Sequence, residues 1–116
     1  MLPAEHRMRN SAEFRQTIGA GLRAGRRSVV VHIRPVGPED QGPTRVGFVV
    51  SKQVGNAVTR NRVKRRLRHM IRPMLTELTE CPAAGIVVRA LPMAAAEPWR
   101  VETDLRAACA AALARL

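Results

Sequence analysis

The chain has 116 residues, a formal net charge of +11 and a sequence pI near 11.7, which implies a polyanionic partner, either nucleic acid or an anionic membrane surface. An apolar fraction of 46% excludes a disordered basic tail, and the length fits a single domain, residues 1–116, with a modest core. Only 3% of the residues are aromatic (Phe14, Phe48 and Trp99), too few to stack base after base along a single strand, so nucleic-acid contacts must be mostly electrostatic and shape-based.

No apolar stretch is long enough for a bilayer span, and residues 1–10 are charged without an apolar signal core, so the expected location is cytoplasmic. Cys81 and Cys109 stand alone, without Cys or His partners at ligand spacing. That pattern fits reduced thiols and neither a disulfide framework nor a zinc site.

In chain order, residues 11–20 predict a short helix, with Ser11 as its cap, Phe14 and Ile18 on one face, and Gly19 and Gly21 at its end. Residues 27–34 (RSVVVHIR) predict a strand. A loop rich in Pro and Gly follows, carrying Glu39 and Asp40. A second strand is expected over 44–52, and a helix over 57–72 with Pro73 kinking or ending it and a further turn to Leu78. A third strand is expected over 85–91, and a closing helix over 98–114 with Pro98 in its first position. Strand, helix, strand implies two parallel strands joined by a helical crossover. The expected architecture is an α/β (α+β) two-layer sandwich, a mixed sheet of about four strands packed with three helices.

The helix at 57–72 carries the strongest signal. On a helical wheel Val63, Leu67, Met70, Ile71 and Met74 form one apolar stripe, and the other directions are cationic. Pairs 60/64, 64/68, 68/72 and 62/66 place like charges at i,i+4, each unfavourable by about 0.2–0.5 kcal/mol. Between Asp40 and Glu77 there is no acid, against nine Lys or Arg: Arg45, Lys52, Arg60, Arg62, Lys64, Arg65, Arg66, Arg68 and Arg72. Base composition of the genome explains Arg in place of Lys but not this segregation of sign. An anionic partner does. Arginine suits bidentate phosphate contacts and stacking on bases. Gly55 permits a tight turn, Asn56 can cap, and the free N–H groups of the first turn can hold a phosphate. Asn61 is either a base- or ribose-pairing amide or a tolerated surface polar residue.

A protein nuclease needs converging carboxylates or an acid–base pair. Glu39, Asp40, Glu77, Glu80, Glu97, Glu102 and Asp104 follow no metal-ligand spacing, and Glu102 and Asp104 read as first-turn helix acids. His6 lies in a terminus expected to be mobile, His32 in a strand, and His69 among cations. No catalytic residue and no metal site is expected in this chain. Two other readings compete with RNA binding to an enzyme: a ribosomal or DNA-binding structural protein, and a lipid-surface binder. The second would need bulky apolar anchors that the basic helix lacks.

The stretch RVGFVVSKQVGNAVTRNRVKRRLR, residues 45–68, resembles the signature of the bacterial ribonuclease P protein subunit, in outline R-x-G-x-x-x-S-K-K-x-G-x-A-x-x-R-N-x-x-K-R. Arg45, Gly47, Ser51, Lys52, Gly55, Ala57, Arg60, Asn61, Lys64 and Arg65 match, and Gln53 departs where a second Lys is usual. The likeness runs on through Phe14, strand 27–34, IVVRA and a closing helix; Ile18 and His32 stand where relatives often carry aromatic rings. It implies a left-handed βαβ crossover and a cytoplasmic ribonucleoprotein that removes 5′ leaders from precursor tRNA. In that family the RNA subunit performs the hydrolysis and binds most of the Mg²⁺. The resemblance implies RNA-facing roles for Arg60, Asn61, Lys64, Arg65 and Arg68. Together with the composition it marks Arg45, Lys52, Asn56, Arg62 and Arg66 as further RNA contacts. The protein alone is expected to be monomeric. In strand 29–34, Val29, Val31 and Ile33 face the core, with Val30, His32 and Arg34 on the opposite face. Phe14, Ile18, Val30 and His32 are expected to form a shallow leader groove in which His32 stacks on a base.

Overall fold

Runs of β-branched residues at alternating positions build the sheet. The computed structural model describes residues 2–116, and within them four strands form one mixed sheet in the order β1-β2-β4-β3. The strands are β1 (Leu22–Gly25), β2 (Val29–Pro35), β3 (Arg45–Val50) and β4 (Ala83–Ala90). β2 is antiparallel to β1 and to β4, whereas β3 and β4 are parallel. The parallel pair is joined through α2 (Ala57–Ile71) and α3 (Leu75–Glu80), as the strand–helix–strand order implies. Between those helices Pro73 sits in a 3-10 turn, Arg72–Met74, so it interrupts the path without ending it. The expected strand at 27–34 begins two residues later, and Leu22–Gly25 forms a separate strand that the sequence pattern did not mark. LRAG has no β-branched residue, and it becomes a strand only by pairing with Val30–Ile33.

One sheet face is apolar at every crossing: Val29, Val31 and Ile33 of β2, Ile86, Val88 and Ala90 of β4, and Val46 and Phe48 of β3. The apolar stripe of α2 (Val63, Leu67, Ile71) closes this core together with α5 (Val101–Leu113), which contributes Val101, Leu105, Ala108 and Ala112. The expected closing helix therefore starts later, after a 3-10 turn at Pro98–Arg100, and the alanine run before it forms the short α4 (Met93–Ala96). Asp104 of α5 accepts from the Ser28 N–H at 3.0 Å and from its hydroxyl at 2.7 Å, tying the β1–β2 turn to the helix.

The other face carries α1 (Ser11–Ala20), capped by the Asn10 side chain, one residue before the expected Ser11. Gly47 and Gly85 make room for it. A Cβ on Gly47 would overlap the ring of Phe14, and one on Gly85 would lie 2.6 Å from Thr17 Oγ1. The N-terminal segment is docked, contrary to expectation. Leu2 and Met8 are buried, the Met8 N–H donates to Val46 O at 3.0 Å, and His6 Nδ1 lies 2.8 Å from the Thr44 carbonyl oxygen. It lies along the outer edge of β3, whose backbone groups would otherwise stand unpaired.

Candidate nucleic-acid interface

The interface begins at the N-terminus of α2. Asn56 Oδ1 accepts from the Thr59 N–H at 2.9 Å, the expected cap. Gly55 lets the turn close against the helix, because a Cβ there would sit 2.9 Å from the Thr59 methyl. With Val63, Leu67 and Ile71 buried, the helix presents Asn61, Arg62, Arg65, Arg66, Arg68 and Arg72 to solvent. Arg60 and Lys64 are half-buried at the margin, and Arg60 Nε is buried without a protein partner. Among the described residues no ion pair involves α2. Six or more cations held on one rigid helix without internal neutralisation make a surface that gains by meeting phosphates.

The structure gathers most of the sequence-selected residues and separates one. Arg60, Asn61 and Lys64 share a hollow with Val50 and Ala57, where β3 meets the start of α2. Lys52 is exposed in the turn before Gly55. Arg45 stands apart: it lies on the α1 side of the sheet and is paired with Glu13 of α1. Arg7 and Arg9 join from the N-terminal segment, lining a cavity with Lys64, Arg65, Arg68 and Arg72. Sequence reasoning missed these two. The alternation Arg7-Met8-Arg9, a buried methionine between two cations, was the available sign of a strand-like edge segment.

Phe14, Ile18, Val30 and His32 come to one side of the sheet, as the alternation of β2 implies. Their exposure differs from expectation. Phe14 and Ile18 are half-buried, while Val30 is 1% and His32 3% exposed. A base cannot stack on a ring that solvent does not reach, so of the four residues only Phe14 and Ile18 are accessible to a ligand, and His32 is not. Both His32 ring nitrogens and Thr17 Oγ1 are buried without protein partners. Burial, with Arg89 and Arg23 nearby, holds the His32 imidazole below its usual pKa of 6.5 and therefore neutral.

Several of the acids are paired within the fold. Asp40 accepts from Arg34 at 3.0 Å and from the Gly37 N–H at 2.7 Å, which hold its carboxyl below the usual range. Glu97 and Glu102 pair with Arg100 and Arg106 within or beside α5. Among the described residues no group of three or more His, Cys, Asp or Glu is placed to hold a metal ion. Burial pushes the Cys109 thiol up to about 12, which leaves it unreactive at neutral pH. No helix of the described residues is long and apolar enough to cross a membrane.

Known proteins share both the sequence and this arrangement. A family profile described as Ribonuclease P matches residues 2–114. The ribonuclease P protein component of Kocuria rhizophila is 53% identical, over 99% of this chain and 98% of its own length. The solved ribonuclease P protein of Staphylococcus aureus superposes with a TM-score of 0.73 at 27% identity, covering 92% of this chain and 94% of that one. A mutant of the same S. aureus protein, described as having defective mRNA degradation activity, superposes at 0.69 with 27% identity, over 89% and 84% of the two chains. With nearly its whole length matched, the chain belongs to the ribonuclease P protein family, as a protein subunit of that ribonucleoprotein endoribonuclease.

Proposed function

We propose that the outward face of α2 holds the RNA subunit of ribonuclease P and that the groove between α1 and the sheet receives the 5′ leader of precursor tRNA. The observation that carries this reading is the uncompensated cationic face, which the fold presents on a single rigid helix. Arg62, Arg65, Arg66 and Arg68 meet phosphates, Asn61 contributes an amide to a base or ribose, and Asn56 fixes the turn. Lys52 extends the surface toward the substrate. Arg45, engaged by Glu13, acts chiefly in holding α1 beside the groove. Mg²⁺ would be held mainly by the RNA subunit, as the family resemblance implies, and would supply there the charge stabilisation that phosphodiester hydrolysis requires. The complex works in the cytoplasm, and the protein enters it as a monomer.

Reconstitution tests this directly. Purified chain, cognate RNA subunit and precursor tRNA together should give accurate 5′ maturation at low Mg²⁺, and omission of either macromolecular component should abolish it. The chain alone is expected to cleave neither precursor tRNA nor mRNA, since among the described residues no group of three or more His, Cys, Asp or Glu is placed to hold a metal ion and no ion pair brings a carboxylate to α2. Cleavage that follows the protein through repeated purification would refute this division of labour. For the groove, Ile18→Ala is the informative variant, because Ile18 is partly exposed while His32 is enclosed. It should weaken holoenzyme binding of a precursor with a leader of several nucleotides and spare one with a single-nucleotide leader. Equal loss on both would remove Ile18 from the leader path.

A further inference from the structure

The register places Gly47, Val87 and His32 in one row across β3, β4 and β2, with Gly85 and Arg34 in the row beside it. α1 lies on that face, Phe14 over Gly47 and Thr17 over Gly85. Its hold there is slight. Among the described side chains of α1 only Thr17 is fully buried, while Phe14 and Ile18 are half-buried. The Thr17 hydroxyl has no protein partner, and neither has either ring nitrogen of His32, enclosed on the same face. Buried polar groups without partners favour a state in which they meet water. One ion pair, Glu13 with Arg45, ties the first turn of α1 to β3. A helix of 10 residues is marginal by itself, and Gly19 weakens its last turn further. The chain is anchored on either side of it, where the Met8 N–H donates to Val46 O and where Leu22 pairs with Ile33. We infer that α1 is a lid: between the anchors at Met8 and Leu22 it lifts from the sheet by local unfolding, and the leader enters through that open form, in which His32 and the Thr17 hydroxyl are uncovered. The inference rests on the reading that the leader lies between α1 and the sheet. It adds that the open fraction of α1 sets the groove's affinity, since the apparent dissociation constant is the intrinsic one divided by that fraction.

Amide hydrogen exchange on the full chain tests the opening. Holoenzyme binding of two precursors, one with a leader of several nucleotides and one with a single-nucleotide leader, tests its use. In the parent, the amides of residues 15–19 should exchange about tenfold or more faster than those of residues 86–89 in β4, because a lid opens without the rest of the fold. Thr17→Val replaces the unpaired hydroxyl with a methyl group of similar size. It should slow exchange in α1 about fivefold or more and weaken binding of the long-leader precursor by a similar factor, with the single-nucleotide leader unaffected. Glu13→Gln releases the tie to Arg45 and should act in reverse, with exchange in α1 about twofold faster and long-leader binding tighter to match. Exchange of α1 at the rate of β4 would overturn the lid, as would exchange in α1 that neither substitution alters. Slower exchange in Thr17→Val with long-leader binding unchanged would overturn entry through the open form. A parent holoenzyme that binds both precursors equally would instead refute the leader groove of the proposed function, while the exchange rates would still decide whether α1 opens.

Discussion

Along α2 most of the cations point outward and, among the described residues, none has an acid partner, whereas beneath α1 the polar groups are closed in. His32 is 3% exposed and Thr17 is fully buried, with neither side chain finding a protein partner. The first surface is open and costs helix stability, since Arg62/Arg66, Lys64/Arg68 and Arg68/Arg72 repel at i,i+4. The second is a packed layer that depends on two missing side chains, at Gly47 and Gly85. One region therefore trades stability for charge display, and the other is closed by packing except at its margin.

The largest expected effect separates these two costs. Replacing Arg62, Arg65, Arg66 and Arg68 together with Gln should weaken RNA-subunit binding about a hundredfold or more at physiological salt. Its log–log salt slope should fall in magnitude by about 0.7–0.9 for each phosphate the variant no longer neutralises. The same variant should be as stable as the parent or more so, because three like-charge pairs disappear, each worth about 0.2–0.5 kcal/mol. Tight binding with an unchanged slope would mean that these side chains face only water. A large loss of stability would mean that their stems are part of the core.

Gly47→Ala probes the other region. The added Cβ meets the Phe14 ring, and overpacking of this kind costs about 1–3 kcal/mol. Urea unfolding should register that loss, while the salt slope for the RNA subunit stays as in the parent. An unaltered unfolding midpoint would show that Phe14 moves aside freely and that α1 is not seated by the glycine. This position also explains one letter of the R-x-G pattern in physical terms: the glycine is an aromatic ring's seat.

The two regions differ equally in how far the sequence discloses them. The α2 surface is local: Val63, Leu67 and Ile71 at helical spacing fix which side is buried, and every remaining direction follows from periodicity. The cap at Asn56 is local too. The sidedness of His32 also follows from alternation along β2, but its burial does not, because alternation assigns a face and not what lies over it. Here α1 lies over it. β1 and the N-terminal segment were illegible for a related reason. LRAG and the stretch before Asn10 have weak intrinsic patterns, and each is ordered by a neighbouring strand distant in sequence or across a turn. Arg7 and Arg9 thus enter the cationic cluster only through tertiary structure.

The smallest expected effect concerns pH, and it reads the enclosed region alone. His32 packs in the β2 row with Arg23 of β1 beside it and Arg89 of β4 next to it, and α1 covers the same face. Burial and these two guanidinium groups lower its folded pKa below 6.5. In the unfolded chain the imidazole gains a proton as pH falls through about 6.5, whereas in the folded chain it stays neutral to lower pH. The unfolded state then binds more protons, so stability contributed by the neutral buried ring is complete above this range and is lost as pH falls from about 6.5 toward the folded value. The slope from one such group cannot exceed about 1.4 kcal/mol per pH unit. His32→Phe retains a ring of similar bulk and removes the titration, so its stability should change less between pH 7 and pH 5 than the parent's. Since His6 and His69 are present in both proteins, the difference between the two curves isolates His32. Parallel curves would mean that solvent or an anion reaches the imidazole when it is protonated, and the face beneath α1 would then be as open as α2.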